Sequence, residues 1–336
     1  SIGGEFRISN IKQIGTSSIT ITFFQACLAT LLVDAALLAC SFPAPLSLTL
    51  GAIAAATAPA ATLMVVRQYH AKGEVTSTLL PVVAMDDAVG LMLFSISLPI
   101  SQALASNATL TVTSMLLQPL LEIVLSLAVG AGIGLLIALA MRFFHSKVNR
   151  ISVAVAAVLL GSALASIWNL SSLLLCMAIG AVLVNLRNDA DELLEITDAW
   201  TPPLFMLFFV LSGAELDLAV VPTVGLLGVV YMVARSLGKY FGSFLGATIA
   251  KSSPNIRKYL GLTLLPQAGV AIGMAQVALN ALPEYGTQIQ AVVLTATLIY
   301  ELIGPVITKL ALTAAGEIQD SKKSKAKTEQ SAGGAK

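Results

Sequence analysis

The chain has 336 residues, of which 57% are hydrophobic and only 11% charged, with a net charge of +1 and a mean hydropathy of +0.88. A water-soluble domain carries about 25% charged residues, so this chain cannot cover a water-facing surface, and its near-zero charge gives no basis for nucleic-acid binding. The apolar residues fall in blocks of about 20, the length that crosses a hydrocarbon core as a helix.

Ten membrane-crossing helices are predicted in chain order: span a over about 14–36, b over 46–67, c over 77–101, d over 115–142 and e over 150–167. They continue with f over about 171–186, g over 201–215, h over 220–250, i over 258–280 and j over 288–313. Arg7 and Lys12 precede a, Arg67, His70 and Lys72 separate b from c, and Arg142, Lys147 and Arg150 separate d from e. Lys251, Arg257 and Lys258 separate h from i, whereas loops a–b, c–d, e–f, g–h and i–j contain no Lys or Arg. The positive-inside rule then places the basic loops and the C-terminus in the cytoplasm. The inside loop 187–200 is acidic (Asp189, Asp191, Glu192, Glu195, Asp198), but acidic residues contribute little to orientation. From about Gly316 the chain turns polar and Lys-rich, which predicts a disordered cytoplasmic tail.

Ile2-Gly3-Gly4-Glu5-Phe6-Arg7-Ile8 echoes Ser212-Gly213-Ala214-Glu215-Leu216-Asp217-Leu218. After each comes a long apolar helix, then one broken by proline, then another long one. The loop charges give a and h opposite directions, so a–c and h–j form inverted repeats, a transporter arrangement with the ion site at the midplane. Span b breaks at Ala56-Thr57-Ala58-Pro59 and span i at Leu265-Pro266-Gln267-Ala268-Gly269. Proline removes a backbone donor and frees a carbonyl, which is tolerated at membrane depth only inside protein or along a cavity. Two matched breaks predict two unwound crossing segments, with Ala58, Pro59, Pro266 and Gln267 at their centres.

Asp86 and Asp87 fall within span c, behind the apolar run Leu79–Met85. Carboxylates at that depth are costly and mark ion or proton pathways. Burial and a like neighbour both disfavour ionisation, so a proton and a small cation can compete for the same oxygens. Asp87, the Thr57 hydroxyl and freed carbonyls are hard oxygen donors that suit Na+ or Li+. Adjacent residues on a helix point about 100° apart, so the second carboxylate needs another partner, and Lys239 in span h supplies one. Arg235, one turn before Lys239, also needs a partner, for which Glu301 in span j is the first candidate and Glu122 in span d the second. A purely structural ion pair is the expected role.

Met85-Asp86-Asp87-Ala88-Val89-Gly90-Leu91 resembles the paired-aspartate motif of the monovalent cation:proton antiporter superfamily, nearest its NapA-like members in the second cation:proton antiporter family. Gly238-Lys239-Tyr240-Phe241-Gly242-Ser243-Phe244-Leu245-Gly246-Ala247 is similar to that family's lysine helix. The resemblance covers essentially the whole chain. It implies an all-α sodium/proton antiporter fold, with Asp87 as the ion-binding carboxylate and Asp86 in a salt bridge to Lys239 that breaks on loading. It also implies an elevator-like motion, a homodimer and a bacterial inner-membrane location.

By that resemblance, residues 1–13 form a leading cytoplasmic segment, 14–101 the first core repeat, and 102–149 the linker helix d. Residues 150–216 are then what remains of a dimerisation bundle whose preceding helices are missing, 217–315 the second core repeat, and 316–336 the tail. One departure is Gln267-Ala268-Gly269, which stands where family members often carry an Arg-Gly-Glu-like run.

The function expected is electrogenic exchange of Na+, or of Li+ or K+, for H+, with no cofactor and with membrane lipid as the surrounding partner. Two alternatives are K+/H+ antiport or K+ efflux on the same fold, and a non-transporting sensor or scaffold. No His/Glu metal motif, Ser/His pair or Gly-rich phosphate loop supports an enzyme.

Overall fold

In a computed structural model, residues 15–106, 117–144, 146–168, 170–187, 189, 190, 192–197, 203, 206, 207, 210 and 221–318 are described. They are helical without a strand. The echo between 2–8 and 212–218, and most of span g, lie outside the described residues.

Helix α1 (Thr16–Ala39) ends where Ser41 turns left-handed and the Phe42 amide closes back on the Leu37 carbonyl. Pro43 then starts α2 (Ala44–Ala54), since proline needs no amide partner at a helix start. Residues 55–58 leave the helical path, and Pro59 opens α3 (Pro59–Gln68). Helix α4 (Glu74–Ala105) runs 32 residues, about 48 Å at 1.5 Å per residue. Next come α5 (Gln118–Ala140), α6 (Lys147–Trp168) and α7 (Ser172–Leu186), the last begun by the Ser171 hydroxyl accepting from the Leu174 amide.

After the undescribed stretch, α8 (Val221–Ile249) is followed by α9 (Pro254–Tyr259), a 3-10 turn (Leu260–Leu264), α10 (Gly269–Ala281) and α11 (Gly286–Ala314). The pair Pro254–Leu264 and Gly269–Ala281 bends by 49° across its break. Among the described residues, helices α1, α4, α5, α6 and α11 are long and apolar enough to cross a bilayer, and the bent pair is a sixth if it is counted as one broken span. Helix α8 has the length, 29 residues, but carries Arg235 and Lys239. The order long, broken, long occurs twice: α1, α2/α3, α4, and again α8, the bent pair, α11.

Lipid offers helices little hydrophobic drive to associate, so packing rests on close backbone approach. Gly238, Gly242 and Gly246 stand four apart along one face of α8. A Cβ at these positions would lie 2.5 Å from Ala29 Cα, 2.6 Å from Gln25 Cα and 2.8 Å from Ile21 Cα. Glycine is what lets α8 lie directly on α1, and this contact joins the two repeats.

Two apolar clusters built mainly from α1–α4 and α8–α11 enclose the breaks. A third joins α5, α6 and α7 through Ile133, Ile137, Ala157, Leu175 and Ile179. Of the segment predicted as a tail from about Gly316, residues 319–336 lie outside the described residues, whereas Glu317 and Ile318 are described and are buried beside α4 and α11. There the Glu317 carboxylate meets the unpaired amides that open α4.

Candidate ion site at the crossing segments

The two breaks face each other. The Ala58 amide donates to the Pro266 carbonyl at 2.9 Å. The Thr57 hydroxyl reaches the Leu264 carbonyl at 3.4 Å, and the Thr62 hydroxyl reaches that of Thr263 at 3.1 Å. Unwound backbone in a membrane must be satisfied internally, and here each break supplies partners to the other. Thr57 and Ala58 are buried at this crossing, and Pro59 occupies the first position of α3.

Arg235 and Lys239 are both completely buried, one turn apart on α8. The Arg235 guanidinium donates to the carbonyls of Leu265 (2.7 Å), Ala56 (2.7 Å) and Ala54 (3.1 Å), with a longer contact to Pro266 (3.5 Å). Its planar fork thus spans both breaks, something a single ammonium cannot do. These carbonyls include the C-terminal end of α2, where the helix dipole is negative. The expected pairing with Glu301 is not formed: Glu301 is exposed on α11. The preceding residue, Tyr300, takes the place beside Arg235, its ring centroid 4.6 Å from the guanidinium. Glu122 is likewise not among the partners of Arg235. Carbonyls freed by the breaks, together with the π-face, hold this cation without an acid.

Lys239 meets Asp86 as the sequence suggested, with Nζ 2.9 Å from Oδ2 and both side chains fully buried. The same ammonium donates to the Thr57 hydroxyl at 2.8 Å and to the Ala55 carbonyl. The second oxygen of Asp86 accepts from the Gln25 amide on α1. Asp86 is therefore held from α8 and from α1 at once, while its own helix, α4, carries it about 18 Å from the first turn.

Asp87 is 5% exposed, and its Oδ1 is buried with no hydrogen-bond partner among the described residues. Gln25 Oε1 is unpartnered in the same way. Each is a buried, hard oxygen acceptor without a donor, the donor type that suits an alkali cation. Gln267 is completely buried. Its amide donates to the Ile53 carbonyl at 3.1 Å and to the Tyr231 hydroxyl at 2.8 Å, so a neutral group fills this position, as the sequence departure at Gln267 implied.

Asp86, Asp87, Arg235 and Lys239 carry two negative and two positive formal charges. The site is neutral when all four are ionised.

Residues 2–314 match the family described as the transmembrane sodium/hydrogen exchangers. The chain belongs to that family. It is a multi-pass membrane protein with the antiporter fold, which accommodates the NapA-like resemblance of its motifs. Among solved structures it is similar to the sodium proton antiporter MjNhaP1 from Methanocaldococcus jannaschii at pH 8. That match has 22% identity and a TM-score of 0.67, covering 93% of this chain and 83% of the other. A second structure of MjNhaP1, an electron-microscopy map, matches at 18% identity and a TM-score of 0.72, covering 95% and 83%. No curated relative matches the chain.

Three polar residues on the helices around this crossing were not singled out in the sequence. Gln25 and Tyr231 are uncharged residues inside apolar helices, and only their polarity at mid-span marked them. Asp34 on α1 carried a stronger signal, a carboxylate inside a predicted span. Its Oδ1 is buried without a partner and lies against Gly51 of α2.

Proposed function

We propose that the protein exchanges Na+ for protons across a bacterial inner membrane, with Asp87 as the shared binding carboxylate and Thr57 as a neighbouring oxygen ligand. The observation that carries this reading is the buried, partnerless Asp87 Oδ1 beside the Asp86–Lys239 pair. A proton or a cation on Asp87 would satisfy that oxygen, and the two cannot bind there together. Entry of a cation sets its charge next to Lys239. The ammonium then yields Asp86 and releases its proton, so that more than one proton moves per cation and transport is electrogenic. The basic loops support a cytoplasmic C-terminus. The separate clustering of α5–α7 supports a core bundle (α1–α4 with α8–α11) moving against a second bundle, with a homodimer as the working unit.

The experiment is cation-driven proton flux in proteoliposomes, with Na+, Li+ or K+ added to a preset pH gradient, on the wild type and on Asp87→Asn. Collapse of the gradient by a cation in the wild type alone supports exchange through Asp87, and the responding cation names the substrate. A folded wild type silent to all three from pH 6 to 9 sinks the reading.

A further inference from the structure

Glu317 lies three residues beyond the family match, which ends at 314, yet it is only 8% exposed. Its carboxylate accepts from the Val75 amide at 2.6 Å, the Thr76 amide at 2.8 Å and the Thr76 hydroxyl at 2.7 Å. Its carbonyl accepts from the Lys72 amide at 3.1 Å, and its own amide donates to the Leu312 carbonyl at 2.9 Å. The turn at Gly316, with φ +79°, swings the chain off α11 and onto the start of α4. Gly73 leaves the room: a Cβ there would collide with the Glu317 side chain. Beneath the contact, Ile318 packs in the apolar cluster with Val75, Leu79 and Leu312. On the adjoining face, the Lys309 ammonium of α11 sits 4.5 Å from the ring centroid of Tyr69 at the end of α3.

A helix start leaves its first amides unpaired and carries the positive end of the dipole. Helix α4 has no side-chain cap of its own, Gly73 occupying that position. The cap comes instead from the far end of the chain, and α4 is the helix that bears Asp86 and Asp87.

We infer that Glu317 is a positioning residue for the ion site, fixing the height and rotation of α4 against α11 and thereby the placement of Asp86 and Asp87. This rests on the exchanger reading of Asp87. Helix α4 is continuous from its first turn to Asp87, with one ladder bond missing at Pro81, so a shift of the first turn is carried along its axis, and a rotation by one residue redirects a side chain by about 100°. Losing the clamp lowers the fraction of molecules whose site is competent, and the apparent cation affinity falls by that fraction.

The test uses Glu317→Ala and Glu317→Gln in proteoliposomes, reading the cation dependence of proton flux together with amide hydrogen exchange over residues 74–78. In Glu317→Ala, amide exchange at 75 and 76 should speed up by about tenfold, the scale of losing hydrogen bonds to a charged group. The apparent KM for the cation should rise about threefold, with the maximal rate per folded molecule unchanged. Glu317→Gln, which keeps the shape and one acceptor, should lie between; if the alanine variant does not fold, it decides by the same criteria. A transporting wild type whose variants keep the wild-type KM, or lose only maximal rate in proportion to folded protein, overturns the positioning role alone. A wild type without cation-driven flux removes the exchanger reading, and the positioning role with it.

Discussion

The Ala58 amide donates to the Pro266 carbonyl at 2.9 Å, so the two broken helices meet as one hydrogen-bonded crossing. Arg235 then ties carbonyls from both sides of that crossing. Lys239, one turn on, links the first break to Asp86 through Thr57 and Ala55. The candidate ion site is therefore assembled on irregular backbone that two cations help to satisfy, and three measurable consequences follow, with a fourth from a charged cluster outside the spans.

Removing one member of the fully buried Asp86–Lys239 pair leaves an uncompensated charge in a dry site. Lys239→Ala should cost about 3–5 kcal/mol of stability. The double variant Asp86→Leu/Lys239→Met should recover most of that loss, because it removes both charges. Thermal unfolding of detergent-solubilised protein checks this, and a double variant less stable than the single one would contradict the pairing.

Arg235 should tolerate no substitution, whereas Glu301 should tolerate many. Arg235→Lys loses the fork that spans both breaks, at about 2–4 kcal/mol for charged hydrogen bonds left unmade. Tyr300→Leu removes the stacked ring and the hydroxyl contacts to Ser236 and the Met232 carbonyl, and should cost about 1–3 kcal/mol. Glu301→Gln should cost no stability, because Arg235 loses no partner and a carboxyl exposed within a membrane span is removed. A large effect at Glu301 would revive the acid partner that the sequence suggested.

Gly242→Ala sets a Cβ 2.6 Å from Gln25 Cα, and backbone on both sides prevents local relief. A cost of about 1–3 kcal/mol is expected from overpacking. Gln25 donates to Asp86, so cation-driven flux should fall more than the folded yield does. Gly225, with no described atom within 4 Å of a Cβ placed there, is the control. The comparison is the ratio of flux to folded protein for Gly242→Ala against Gly225→Ala.

Outside the membrane spans, Asp189 takes bonds from Arg187 and Arg150. The Arg187 hydrogen bond, with both guanidinium charges, holds its carboxyl below the usual carboxylate range. A depressed folded value means stability that is present above the unfolded value near pH 4 and is lost as pH falls through the folded one. Acid unfolding followed from pH 5 to pH 2 should therefore begin at higher pH for Arg187→Gln than for wild type, and coincident curves would refute the assignment.

Much of the site could be read from residue order. The carboxylates Asp86 and Asp87, the ammonium Lys239 and the prolines at both breaks stand out because lipid penalises each of them. Partner choice could not be read the same way. Arg235 was matched with an acid because sequence displays side chains, whereas its real partners are main-chain carbonyls that every residue owns and only the breaks make available. Glu317 was assigned to a solvated tail because the residues after it are polar. Its burial depends on the unpaired amides of α4, 241 residues earlier, a relation that no local pattern encodes.

The glycine face of α8 sets backbone against backbone over Ile21, Gln25 and Ala29. At such contact neither helix can roll or slip past the other by a single residue without a steric collision. Gln25 and Lys239, the two hands on Asp86, are consequently mounted on one two-helix strut. In the elevator-like motion expected from the family resemblance, that strut would travel as one rigid body, with its pivot elsewhere in the molecule.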